Sequence, residues 1–145
     1  EVPEEEYVIP LGKSEIKISG KDVTIVSFGK ILKEAVKAID ELKNENIDAE
    51  LIDLRTIRPL DIEPIISSVK KTNRLVILEE SWPYGNISSE ISYQVQNRIF
   101  DYLDAPIEKI NTADTPAPYS PVLLAEWIPN YKDVINAVKK VLYKS

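Results

Sequence analysis

Apolar and polar positions along the chain switch between the period of a strand and the period of a helix. Residues 23–28, 49–54 and 74–78 are apolar almost throughout and rich in β-branched side chains, which is typical of strands buried on both faces. Residues 12–19 alternate only loosely, through Ile16 and Ile18, and predict an edge strand that ends at Gly20. A short strand is predicted over residues 106–110.

Between these strands, apolar residues recur at helical spacing and predict four helices. The first follows Gly29, and the second takes Asp61 as its N-cap with Pro64 in its first turn. The last begins near Asn130, with Asp133 positioned for a capping box. The predicted buried faces are Ile31, Leu32, Ala35, Val36, Ile39 and Leu42; Ile62, Ile65, Ile66 and Val69; Ile87, Ile91, Val95 and Ile99; and Val134, Ile135, Val138, Val141 and Leu142.

Prolines interrupt this pattern in two places. Pro59 excludes a continuous helix through residues 55–61. Residues 112–121 contain Pro116, Pro118 and Pro121, and they predict an extended loop.

Strands that alternate with helices pair in parallel through crossover helices, and apolar central strands require cover on both faces. We therefore predict an α/β fold: a three-layer α/β/α sandwich with a mostly parallel sheet and one antiparallel edge strand. Residues 13–145 form this domain. Residues 1–12 are acidic, contain prolines and are interpreted as a linker remnant and lead-in. Because the chain contains no Met, we expect a processed chain or a fragment.

Composition narrows the function classes. The chain has 24 acidic and 18 basic residues, a net charge of −6 and a pI near 4.8, which argues against binding nucleic acid or anionic membranes. It has no Cys and no His, so it lacks thiolate chemistry, the commonest general base and the commonest zinc ligand. No segment approaches the ~20 apolar residues of a membrane span. Composition therefore indicates no catalytic, cofactor-binding or metal-binding residue.

Three polar features have a functional and a structural interpretation each. The turn Ser27-Phe28-Gly29 could bind a small anion at a helix N-terminus, or be a plain tight turn. Glu79 and Glu80 could act as paired acid and base, or form a solvated turn. Asp53 and Arg55 are interpreted as a structural ion pair or as a backbone anchor for the loop that contains Pro59.

Aromatic residues suggest an interface. Trp82, Pro83 and Tyr84 lie together on a predicted loop, where aromatic side chains commonly anchor protein contacts. The alternative is a loop folded over the sheet edge. Trp127 and Tyr131, which precede the last helix, raise the same question.

Several segments occur in the order found in one known family. They are residues 2–7 (Val-Pro-Glu-Glu-Glu-Tyr), 9–13 (Ile-Pro-Leu-Gly-Lys), 53–61 (Asp-Leu-Arg-Thr-Ile-Arg-Pro-Leu-Asp), 80–83 (Glu-Ser-Trp-Pro), 103–106 (Leu-Asp-Ala-Pro) and 114–119 (Asp-Thr-Pro-Ala-Pro-Tyr). The chain resembles the C-terminal domain of pyruvate dehydrogenase beta subunits, within the wider transketolase-like group. The resemblance covers essentially all 145 residues. In place of two glycines usual in relatives, this chain has Asn86 and Ser88.

The resemblance implies a role in the thiamine-dependent oxidative decarboxylation of pyruvate, with reductive acetylation of lipoyl groups. The cofactor, thiamine diphosphate with Mg, would bind in the full enzyme and not to this domain alone, so the isolated domain is expected to be inactive. The implied partners are the alpha subunit, a second beta subunit and the subunit-binding domain of the dihydrolipoyl acetyltransferase. Asp104 and the terminal carboxylate of Ser145 would meet that binding domain.

The resemblance also implies a location in the bacterial cytoplasm or the mitochondrial matrix. Two alternatives stay open at this point. One is the beta subunit of a related 2-oxo acid or acetoin dehydrogenase, and the other is a stand-alone small-anion-binding domain. A turn cap before Pro106 is the structural alternative for Asp104.

Overall fold

One five-stranded sheet forms the centre of the computed structural model, which describes residues 5–144. The strands are β1 (Glu15–Ile18), β2 (Val23–Ser27), β3 (Ala49–Asp53), β4 (Leu75–Leu78) and β5 (Glu108–Ile110), in the spatial order β1-β3-β2-β4-β5. β2 pairs in parallel with β3 and β4, and β4 with β5, whereas β1 is antiparallel to β3. The predicted antiparallel edge strand is confirmed.

Helices cover both faces of the sheet. They are α1 (Leu32–Asn44), α2 (Glu63–Thr72), α3 (Ile87–Ile99), α4 (Pro121–Trp127) and α5 (Tyr131–Val141). Alternate residues of β2 enter different cores: Ile25 packs with α1 and α5, and Val26 packs with α2 and α3. Every residue of β2 and β4 is buried because both faces are covered, so the predicted three-layer sandwich is confirmed.

The helix starts follow the sequence signals only in part. The capping box of α5 is confirmed, since the Asn130 amide donates to Asp133 at 2.8 Å and the Asn130 side chain accepts from the first turn. The N-cap prediction for Asp61 is wrong: α2 begins one residue after Ile62, which provides no side-chain cap, although Pro64 does lie in the first turn. Asp61 instead accepts a hydrogen bond from the Ser14 amide at 3.1 Å and so ties the lead-in to this loop.

The segment after the prolines contains a helix that the sequence pattern did not predict. Pro121 is compatible with the first turn of α4, because a residue there needs no amide hydrogen bond. None of the residues of α4 is buried. Of residues 5–144, no helix is long and apolar enough to cross a bilayer.

A polar seam joins the sheet to α2. Thr24 Oγ1 lies 2.6 Å from Ser68 Oγ and 2.7 Å from Thr72 Oγ1. Beside them, Glu50 is only 2% exposed and accepts a 2.5 Å hydrogen bond from Lys71 Nζ. Burial disfavours the charged Glu50, but hydrogen bonds from Lys71, Ser68 and a backbone amide, together with the Lys71 charge, lower the pKa of this carboxyl below its ordinary value.

Candidate interaction surfaces

Two tryptophans converge on one carbonyl beyond the carboxyl end of the sheet. Trp82 Nε1 donates to the Thr115 oxygen at 3.0 Å, and Trp127 Nε1 donates to the same oxygen at 2.9 Å. This bifurcated contact joins the loop after β4, the proline-containing loop and the end of α4. The three segments therefore form one surface, although the loop after β4 lies far from the other two in the sequence.

The loop after β4 is held by further hydrogen bonds. Asn86 Nδ2 donates to the Trp82 oxygen at 2.6 Å, and Lys109 Nζ donates to the Pro83 oxygen at 3.1 Å. Asn86 also caps α3 by accepting from the Ser89 amide at 2.9 Å, with an extended backbone at φ −105° that requires no glycine. Gly85 instead has a positive φ of 67°. The left-handed residue of this loop is thus Gly85.

We call this region the carboxyl-end face and define it by Trp82, Tyr84, Tyr119, Val122 and Leu123. Trp82 is 54% exposed, although its N–H is bonded, and Tyr84 is 91% exposed. Tyr119 is fully exposed, Val122 is 74% exposed and Leu123 is 58% exposed. Exposed apolar side chains grouped on ordered backbone mark an interaction surface more often than a catalytic site.

A shallow groove adjoins this face at Leu123. It encloses about 280 Å³ between the proline-containing loop and α4 and is lined by Thr115, Pro116, Pro118, Leu123 and Trp127, among others. The sequence pattern indicated Trp82, Pro83 and Tyr84 and raised the same question for Trp127, but it did not predict the role of Thr115 or the helix α4. The available signal was the apolar run Val-Leu-Leu-Ala directly after Pro121.

The two neighbouring glutamates have different environments. Glu79 is 1% exposed, and its oxygens accept hydrogen bonds from the Ser81 hydroxyl and, at 2.9 Å, from the Ser88 amide in the first turn of α3. Glu80 is exposed. Both oxygens of Glu79 are therefore engaged in anchoring α3 to the end of β4.

The expected contact between Asp53 and Arg55 exists only through the backbone. Asp53 accepts from the Arg55 amide at 3.0 Å, which supports the backbone-anchor interpretation, whereas the Arg55 guanidinium lies 2.6 Å from Glu15 on β1. The ion-pair interpretation is wrong because the side chain of Arg55 turns toward the edge strand. A hydrogen bond from Lys17, followed by the charges of Lys17 and Arg55, outweighs desolvation and lowers the pKa of Glu15.

The Ser27–Gly29 turn leads into a short 3-10 helix (Gly29–Ile31) and not directly into α1. Ser27 is fully buried, and its Oγ has no hydrogen-bond partner among residues 5–144. Gly29 has a φ of 69°, and the space beside its α-carbon is open. The prediction of anion binding stays a prediction.

Asp104 lies at the opposite end of the domain, after α3. Its carboxylate is 56% exposed and stands 3.5 Å from Arg74, while its backbone amide donates to the Asn73 oxygen at 2.9 Å. Tyr143 Oη donates to the Asp104 carbonyl at 3.2 Å. Asp104 thus combines a fixed backbone with an accessible charge. Ser145 lies outside the described residues.

Residues 12–134 match the family model described as the transketolase C-terminal domain. The chain belongs to this family. The order of strands, the antiparallel edge and the covering helices described above are therefore those of a transketolase C-terminal domain. The resemblance noted from the sequence segments is confirmed at the level of the family.

Curated relatives cover the whole chain. It is 49% identical over 145 residues to "Pyruvate dehydrogenase E1 component subunit beta" of Rhizobium meliloti (strain 1021), covering 99% of this chain and 32% of the relative. It is 45% identical over 142 residues to the mitochondrial subunit of that name from Dictyostelium discoideum, covering 98% and 40%. The subunit of Bacillus subtilis (strain 168) is 42% identical, with 98% and 43% covered. The chain thus spans about a third to under half of these relatives.

Solved structures agree on the fold. A protein titled "Split gene transketolase, inactive beta4 tetramer" superposes with a TM-score of 0.81 at 29% identity, over 93% of this chain and 44% of that one. A 2-oxoglutarate:ferredoxin oxidoreductase from Magnetococcus marinus gives a TM-score of 0.58 at 12% identity, over 90% and 20%, which shows likeness of fold alone.

Proposed function

We propose that this chain is the C-terminal domain of a pyruvate dehydrogenase beta subunit and that it serves assembly and docking in that enzyme. The observation that carries the proposal is the identity of 42–50% to subunits of that name over nearly the whole chain, in bacteria and mitochondria alike. The relatives also support a location in the bacterial cytoplasm or the mitochondrial matrix.

The reaction itself would take place outside this domain. Thiamine diphosphate is held through Mg, which binds oxygen ligands such as carboxylates together with the phosphates. Among residues 5–144, no three metal-ligating acidic side chains come together. We assign none of the described residues to the cofactor, which we expect to bind elsewhere in the full enzyme. We expect the isolated domain to be inactive and the whole alpha and beta assembly to decarboxylate pyruvate and acetylate lipoyl groups.

The carboxyl-end face is the surface we assign to assembly with the rest of the enzyme, including the alpha subunit and a second beta subunit. Exposed aromatic and aliphatic side chains supply apolar area there. The shared Thr115 carbonyl holds two of the loops in place, which lowers the entropy lost on binding.

We assign Asp104 to docking of the acetyltransferase's subunit-binding domain. The net charge of −6 favours approach of a basic partner, since complementary charge raises the association rate. A basic side chain of the partner would compete with Arg74 for the carboxylate, because the present 3.5 Å contact is long for an ion pair.

The docking role is tested by replacing Asp104 with Ala in the full-length beta subunit assembled with its alpha subunit. Binding to the subunit-binding domain is expected to weaken by about 1–3 kcal/mol if the pair is desolvated, and less at a solvated rim. Isothermal titration calorimetry at two salt concentrations measures the change. The matched control is Asp101→Ala, which removes an exposed acid nearby. Equal affinity of both variants and the wild type would contradict the assignment.

The enzymatic proposal is tested on the same assembly with a panel of 2-oxo acids and acetoin. Reduction of an artificial electron acceptor with pyruvate as preferred substrate is the expected result. Preference for branched-chain 2-oxo acids or acetoin would identify the chain as a subunit of a related dehydrogenase.

A separate small-anion site is the second candidate, favoured by the buried Ser27 hydroxyl, which has no hydrogen-bond partner within residues 5–144. It predicts that inorganic phosphate raises the melting temperature of the chain in proportion to the logarithm of its concentration above Kd. An equal rise in the Ser27→Ala variant would argue against that site.

A further inference from the structure

The outer edge of β5 faces an open groove on the side of the sheet away from β4. β5 is the last strand of the sheet, and its register places Val76 opposite Glu108 and Leu78 opposite Ile110. The Ile110 oxygen accepts from the Glu79 amide at 3.0 Å, and the Thr112 amide donates to the Ser81 oxygen at 3.0 Å. Backbone groups of successive residues point to opposite sides of a strand, so those of Lys109 and Asn111 point away from β4.

The chain itself covers only the far end of this edge. The next outward-facing residue, Ala113, donates its amide to the Trp127 oxygen at 3.1 Å, which closes the edge beside α4. β5 pairs only with β4 among the described strands, and outside the helices and strands the backbone groups of Lys109 and Asn111 make no backbone hydrogen bond within residues 5–144. Each of these two residues therefore presents one N–H and one C=O toward the groove.

The groove is large enough to admit part of a bound molecule. It encloses about 580 Å³, and its lining includes Lys109, Asn111, Glu126, Asn136 and Lys140. This volume lies in the range of pockets that bury small ligands. A groove with a free strand edge as one wall is complementary to an extended backbone, which adds to a sheet through main-chain hydrogen bonds.

The two edges of the sheet differ in their protection. The register of β1 shifts between Ile16 and Ile18, and such an irregularity prevents regular pairing with an incoming strand. β5 keeps regular register with β4. Lys109 does not shield its own edge, because its ammonium group bonds to the Pro83 oxygen at 3.1 Å and to Ser89 Oγ at 2.9 Å.

Charge indicates the kind of segment that fits. Glu108 and Lys140 neutralise one another at 2.8 Å, and Asp133 is engaged in the cap of α5. Glu126 lines the groove and, within the described part of the chain, makes no ion pair. Lys109 keeps its positive charge, because its ammonium group bonds to neutral oxygens. Three acids (Glu108, Glu126 and Asp133) therefore stand against two lysines in the lining, and the net charge is −1. This net negative charge favours a basic side chain on the occupant.

We propose that the edge of β5 binds an extended segment of another polypeptide that carries basic side chains and adds to the sheet as a sixth strand. Lys109 and Asn111 supply the main-chain contacts, and Glu126 and Asp133 supply the preference for a basic residue. The proposal does not depend on the pyruvate dehydrogenase assignment.

The probe is an acetylated and amidated hexapeptide, Thr-Lys-Val-Lys-Val-Thr, titrated into the isotope-labelled chain and followed by amide chemical shifts. The amides of Lys109 and Asn111 are expected to shift saturably at millimolar peptide. Two further copies of the peptide are N-methylated at every second residue, one at the odd-numbered and the other at the even-numbered positions. Both keep the charge of the peptide but lose the backbone donors at the methylated residues. At least one of them is expected to bind at least about tenfold more weakly, and the acidic analogue Thr-Glu-Val-Glu-Val-Thr should bind more weakly than the basic peptide.

Two variants distinguish the contribution of the Lys109 backbone amide to peptide binding from that of the Lys109 side chain. Lys109→Pro removes the outward amide without touching the β4 ladder and should abolish binding, whereas Lys109→Ala keeps the amide and should bind the peptide. If Lys109→Pro fails to fold, the N-methylated peptides decide the same question. The proposal is overturned if the wild type shows no saturable shift up to about 5 mM peptide. It is overturned too if both N-methylated peptides bind as tightly as the unmodified peptide. Shifts that grow with protein concentration in the absence of peptide would also overturn it, because they would indicate pairing between two molecules of the chain.

Discussion

At the scale of single residues, Glu50 shows how a buried charge is tolerated in this domain. Its carboxylate lies between the sheet and α2, where Lys71 and the Gly20 amide, at 3.3 Å, satisfy one oxygen. Lys71 is 48% exposed and so keeps part of its hydration. The pair therefore avoids much of the desolvation cost of two fully buried charges.

We expect Glu50→Gln to lower the free energy of unfolding at neutral pH by about 1–3 kcal/mol, because a charged acceptor is lost from a buried hydrogen bond. Since the folded pKa of Glu50 is lowered from 4.5, its contribution is complete above 4.5 and is lost as the pH falls through the lowered value. Urea unfolding of wild type and variant across this range should show the difference narrowing only in acid.

The matched control is Glu63→Gln, which removes one member of an exposed ion pair with Arg98. This change is expected to cost under about 1 kcal/mol. A Glu50 variant that behaves like the Glu63 variant at all pH values would contradict the structural role assigned to Glu50.

At the scale of elements, the start of α3 is determined by two side chains from outside the helix. Asn86 accepts from the Ser89 amide, and Glu79, at the end of β4, accepts from the Ser88 amide. Two of the helix's free amides are thereby satisfied, which is the main requirement at a helix N-terminus. The same Asn86 holds the Trp82 carbonyl, so capping and loop conformation are coupled.

Asn86→Ala is expected to cost about 1–2 kcal/mol of stability through the lost cap. Faster hydrogen exchange of the Ser88 and Ser89 amides, with unchanged exchange in β2, would locate the effect. Ser92→Ala serves as control, because its hydroxyl bonds to the Ser88 carbonyl within the same helix. If the two variants lost equal stability, the cap would not be the origin of the effect.

At the scale of the whole molecule, the exposed apolar side chains distinguish residues that stabilise the isolated fold from residues that we propose for assembly. Leu123 and Val122 project from a helix with no buried residue, so the isolated fold does not depend on them. Their exposure is consistent with the proposal that the rest of the enzyme covers this face.

We expect Leu123→Lys to change the stability of the isolated chain by less than about 0.5 kcal/mol, as surface substitutions usually do. In the full-length beta subunit the same change should prevent assembly with the alpha subunit, as measured by analytical ultracentrifugation. Ile16→Lys, at an exposed position on β1, is the control and should assemble normally. Normal assembly of the Leu123 variant would remove this face from the interface.

The sequence by itself determined the layered α/β fold, because the spacing of apolar residues that distinguishes a strand from a helix involves only residues close together in the chain. Capping by Asn130 and Asp133 was equally local and was predicted correctly. Other features depend on residues far apart in the chain: Asp61 pairs with Ser14, Arg55 with Glu15, and both tryptophans with Thr115. Only the tertiary structure decided these contacts, and with them the carboxyl-end face and the open edge of β5, because a surface is defined by which distant segments the fold brings together.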